Sequence, residues 1–111
     1  STGNASMSAL HWARYLRKVQ LTFNPFVKSS AVPMLGILNT KKIKEMIPQL
    51  VVAKKLLPRG EETASMSVSF ADNSQMEFDL VRLQNAMIIE KIEMENVRIA
   101  VVEVERGKPF S

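Results

Sequence analysis

Apolar and polar side chains alternate along "KVQLTF", Lys18 to Phe23, with Val19, Leu21 and Phe23 on one side and Lys18, Gln20 and Thr22 on the other. This predicts a strand with one buried face. Asn24 precedes Pro25, which favours extended backbone at Asn24 and removes a ladder donor, so the strand stops there. Upstream, "SALHWARYL" spaces Leu10, Ala13 and Leu16 at helical intervals and predicts a short N-terminal helix. Downstream, "SSAVPMLGILN" predicts a helix with Ser29 or Ser30 as N-cap and Pro33 in its first turn. Thr40 caps a second one, "KKIKEMI", closed by Pro48. "QLVVAKKLL" contains the continuous apolar stretch Leu50 to Ala53, the pattern of a strand buried on both faces.

The clearest element is a hairpin. Met66, Val68 and Phe70 alternate with serines, and Met76, Phe78 and Leu80 alternate with Gln75, Glu77 and Asp79. Asp72, Asn73 and Ser74 between them suit a tight turn. Asp79 is the expected cap of a helix through "LVRLQNAMIIEKIEMEN", and the β-branched "VRIAVVEVE" is expected to add a C-terminal strand. The order is βαβ followed by ββα, an α/β (α+β) fold of thioredoxin-like type. Helices are expected to pack on a mixed four-stranded sheet, with residues 17–95 as the domain and residues 1–16 and 96–111 as extensions.

That fold's redox enzymes place a dithiol after the first strand, where this chain reads "NPFVKSS" and has no cysteine anywhere. Ala64 precedes the hairpin, where those enzymes keep a proline. One histidine, His11, leaves no imidazole pair for a metal, and the four scattered glycines form no phosphate loop. The expectation is a protein without catalysis, metal, cofactor or small-molecule substrate. The longest nearly apolar run, "AVPMLGIL", is far shorter than the roughly 20 residues of a membrane span.

Charge supplies the positive signal. Residues 1–60 hold ten basic side chains and one acid, a balance of +9, while the remainder holds five basic and ten acidic side chains, a balance of −5. Segregation of this kind points to a polyanion on one side of the domain. The candidate contacts are Arg14, Arg17, Lys18, Lys28, Lys41, Lys42, Lys44, Lys54, Lys55 and Arg59, together with free N–H groups at Ser29 and Ser30 at the helix start. No aromatics interleave with these lysines, so the contacts expected are to phosphate rather than to bases.

"RKVQLTFNPF" followed by a helix, then "VSFADNSQMEF" and a C-terminal helix, resembles the mitochondrial large-subunit ribosomal protein fifty-three family over roughly Arg17 to Met94. The resemblance rests on Phe23, Pro25 and Phe26 and on the order of elements. It implies a redox-inactive thioredoxin-like component of the large ribosomal subunit in the mitochondrial matrix, touching ribosomal RNA and neighbouring ribosomal proteins. In it, the turn Phe23, Asn24, Pro25, Phe26 is structural, with both phenylalanines packed beneath the helix. The alternative is a non-catalytic thioredoxin-like subunit of another mitochondrial complex, such as a respiratory complex.

Overall fold

The alternation around Val19 does form a strand, β1 (Leu16–Phe23), beginning earlier than Lys18. The computed structural model describes residues 11–110, so Ser8 to Leu10 of the expected N-terminal helix lie outside the described residues. Its remainder is a single 3₁₀ turn, His11–Ala13, and Leu16 already belongs to the strand. Two helices follow, α1 (Ala31–Leu38) and α2 (Lys41–Met46), then β2 (Val51–Leu56), β3 (Ala64–Phe70), β4 (Gln75–Asp79) and a long α3 (Asn85–Arg106).

The sheet order is β2-β1-β3-β4, with β1 parallel to β2 and antiparallel to β3, and β3 antiparallel to β4. This is the mixed four-stranded sheet of an α+β fold, in the order of the minimal thioredoxin arrangement. Registers Val19↔Val68, Leu21↔Met66 and Phe23↔Ala64 bring the apolar positions of the two inner strands onto one face, where all six are buried. The other face carries Lys18, Gln20 and Thr22 beside Ser65, Ser67 and Ser69. The connection from β2 to β3 contains no helix, so the polar face stays open and the domain has two layers.

Thr40 caps α2 as expected, its hydroxyl accepting from the Ile43 N–H at 3.4 Å. The α1 start differs. Ser30 occupies the cap position without capping, because its hydroxyl donates to Leu83 O at 2.6 Å. β2 also departs from expectation: it is a sheet edge whose residues are exposed or half-buried, not a strand covered on both faces. Asp79 caps only the turn after β4, accepting from the Val81 N–H at 3.0 Å, and α3 begins at Asn85.

The largest correction concerns "VRIAVVEVE", which is helical. Ile88, Ile92, Asn96 and Ile99 recur every three or four residues and are fully buried, and the three isoleucines join the strands' apolar side chains in one core. Each isoleucine contributes about 1.5–3 kcal/mol by burial, more than β-branching costs a helix. Gly107 ends the helix at φ 74°, and its N–H donates to Glu103 O and Val104 O.

α3 also holds the N-terminal segment. Asn96 donates to Trp12 O, Arg14 pairs with Glu93 at 3.1 Å, and the Tyr15 hydroxyl donates to Glu103. Burial and the Glu103 carboxylate push the Tyr15 phenol up. The hairpin is fixed to the same helix. Asp72 accepts from the Ser74 N–H at 3.0 Å and from Arg98 at 2.7 Å. Burial pushes its carboxyl up, but the bonds from Ser74 and Arg98 outweigh that and hold it below the usual range.

Two outcomes follow from these ties. Asn96→Ala strands the buried Trp12 carbonyl and costs about 1–3 kcal/mol in urea unfolding, with Trp12, the sole tryptophan, shifting its emission to the red. Because Asp72 has a depressed folded pKa, its contribution is complete above the unfolded value of about 3.9 and is lost as pH falls through and below it; Asp72→Asn therefore flattens the decline in unfolding midpoint between about pH 5 and pH 2.

Candidate nucleic-acid interface

The turn after β1 is organised by its asparagine. The Val27 N–H donates to Asn24 O at 3.1 Å, closing a four-residue turn with Pro25 and Phe26 at its two central positions. Asn24 is itself buried: its Oδ1 accepts from the Phe26 N–H at 2.9 Å, and its Nδ2 donates to Pro58 O at 3.2 Å and Glu61 O at 2.8 Å. One side chain thus clamps the β1 turn to the loop after β2. Phe23 is buried below, but Phe26 does not pack beneath the helix. It is 74% exposed at the turn tip, with the Arg59 guanidinium over its ring at 5.2 Å from the centroid.

The predicted basic residues fall into three groups. Lys54 and Lys55 project from β2, the exposed edge strand. Lys44 borders a small cavity of about 190 Å³ together with Ile47, Leu50 and Val52, which places α2, with its exposed Lys41, Lys42 and Lys44, beside the beginning of that edge. Arg59 and Lys28 lie at the other end, around the Asn24 turn, and both are exposed. These side chains follow one border of the molecule. Within it, Lys41 pairs with Glu45 at 3.8 Å, and Glu61 and Glu62 share the loop of Arg59.

Lys18 is exposed on the open sheet face, on the rim of a shallow depression of about 360 Å³ that also touches Gln20, Ser67, Ser69, Gln75 and Glu77. Arg14 and Arg17 serve the fold instead. Arg14 is engaged with Glu93, and Arg17 donates to Arg14 O at 2.9 Å and Leu16 O at 2.8 Å, with burial pulling its guanidinium pKa down.

Of the two donors expected at Ser29 and Ser30, the Ser30 N–H is engaged within the fold. The Ser30 N–H donates to Leu80 O at 3.0 Å, the Ala31 N–H to the Ser29 hydroxyl at 3.2 Å, and Pro33 has no N–H to offer. The opposite edge has the opposite sign: β4 carries Glu77 and Asp79 and no base. Three strand spacings of about 4.8 Å separate the two edges, so the domain is polarised across roughly 14 Å.

Phe26 is the residue the sequence reading misplaced. The signal was present in Asn-Pro at the first two turn positions, a signature that puts the following residue at the tip. Among the described residues no group of three or more His, Cys, Asp or Glu side chains converges as metal ligands, and no helix is long and apolar enough to cross a membrane. The geometry defines a two-layer thioredoxin-like domain with a basic edge strand and an open polar sheet face. The chain matches no protein-family model and no curated protein.

Removing the Asn24 amide leaves two loop carbonyls without their donor inside a tight turn. Asn24→Ala is expected to cost about 2–3 kcal/mol and to release the β2–β3 loop, read as faster amide exchange over residues 57–63 with little change at β3 and β4.

Proposed function

We propose that this domain is a non-catalytic structural constituent of the mitochondrial large ribosomal subunit in the mitochondrial matrix. It binds ribosomal RNA along the β2 edge and neighbouring ribosomal proteins elsewhere. The observation carrying the reading is the conversion of sequence charge segregation into a spatial one: Lys44, Lys54 and Lys55 border an unpaired strand edge that bears no acid. Lys54 and Lys55 point to opposite faces of this edge, so a backbone running along it meets one on each side. Such phosphate contacts carry no sequence preference, and each neutralised one releases counterions. At the end of the edge, Phe26 with Arg59 above it offers a hydrophobic face on which one unstacked base can rest, while Lys28 stands beside it to meet the adjoining phosphate.

The resemblance at "FNPF" and "VSFADNSQMEF" supplies the ribosomal assignment, and the element order agrees with it. A subunit of another mitochondrial complex would share this fold without the RNA contact. Binding to mitochondrial large-subunit RNA separates the two. Reversal at Lys54→Glu and Lys55→Glu is expected to weaken it at least tenfold and to reduce the slope of log affinity against log salt by about 0.7–0.9 for each phosphate contact removed. Phe26→Ala should weaken binding to single-stranded RNA by about 1–3 kcal/mol while leaving the salt slope unchanged. An affinity indifferent to the lysine reversals contradicts the proposal.

A further inference from the structure

α3 carries a second apolar stripe opposite its buried one. Met94, Val97, Val101 and Val104 recur in steps of three and four residues, and at about 100° per residue they point directly away from Ile88, Ile92 and Ile99. They are 67%, 56%, 52% and 82% exposed. Steps of three and four are the a/d seam of a coiled coil, in which a second helix fills the gaps between these side chains.

We propose that the occupant is a second copy of this chain, its α3 packed antiparallel against the first. The flanking residues select both orientation and register. When Met94 opposes Val104 of the other copy, and Val97 opposes Val101, Ala100 meets its own counterpart at the two-fold axis, where a small side chain lets the backbones approach. In this register Lys91 of each copy lies beside Glu105 of the other. Both are exposed, and neither has an ion-pair partner in its own chain among the described residues. Arg98 meets its own counterpart, but each Arg98 is already bound by Asp72 and Glu95 of its own copy.

Glu90, which interrupts the seam, then falls past Val104 of the other copy, opposite the segment holding Lys108. Displaced by one heptad, with Met87 on Val104, the pair would bury Glu90 against Val101 and set Lys91 beside Arg98, so charge disfavours it. The seam faces away from the sheet, so the two sheets lie on the outer sides of the helix pair. Four side chains per copy bury less than the roughly 1,200 Å² of a standard interface, so the dimer is a weak, reversible one.

Sedimentation equilibrium of the whole chain from about 1 to 500 µM tests this without RNA, so its outcome is independent of the ribosomal reading. A reversible monomer–dimer equilibrium is expected. Val101→Glu should be monomeric throughout with an unchanged circular dichroism spectrum. Lys91→Glu, which sets like charges together twice, should weaken the dimer about tenfold, and adding Glu105→Lys should restore it. A monomer at every concentration overturns the proposal, including the case in which another protein's helix occupies the seam. So does a dimer that ignores the Lys91 and Glu105 exchange.

Discussion

Val19, Leu21 and Phe23 point to the same side of β1, and β1 is hydrogen-bonded on both edges, to β2 and to β3. The side they choose becomes the side on which every neighbour must place its apolar residues, because a slip of one position would turn the buried set of a strand into water. β3 complies with Ala64, Met66, Val68 and Phe70, and α1 and α3 cover the result. The other face is then mostly polar, with Val51 and Ala53 of β2 its apolar exceptions, and the short β2–β3 loop supplies no helix to cover it. A central strand with one buried face therefore accounts for the two layers, and the two layers account for the free edges and open face available to partners.

α3 is the second constraint, since it joins parts of the chain that are distant in sequence. Its contacts with Trp12, Arg14 and Tyr15 anchor the beginning of β1, while Arg98 anchors the hairpin through Asp72. The Asn24 clamp performs the same task at the other end of β1 by joining its turn to the loop after β2. The basic edge is thus held at its far end by a buried amide rather than by Lys54 and Lys55, whose side chains stay exposed on the edge strand.

Much of this was legible because it is local. The strand around Val19, the Thr40 cap and the serine-alternating hairpin are each specified by adjacent residues. The errors have a common cause, which is that burial depends on residues distant in sequence. "LVVA" reads as a doubly covered strand until the strand order puts β2 at an edge. "VRIAVVEVE" satisfies strand propensity, yet its buried positions continue the period begun at Ile88, and Gly107 supplies the helix stop. The basic candidates were recognised as a charge class, but only the fold separates Lys54 and Lys55 at the edge from Arg14 and Arg17, which are engaged in internal contacts. At the α1 start, likewise, only the fold shows that the Ser30 N–H is taken by Leu80 O, a residue 50 positions away.

The proposed role places the domain in the mitochondrial large ribosomal subunit. It is tested most directly by sedimenting the tagged protein from mitochondrial lysate on a gradient at low and at moderate salt, with large-subunit RNA probed in every fraction. The account predicts that protein and large-subunit RNA migrate together under both conditions. Migration with a membrane complex, or alone near the top of the gradient, would contradict it.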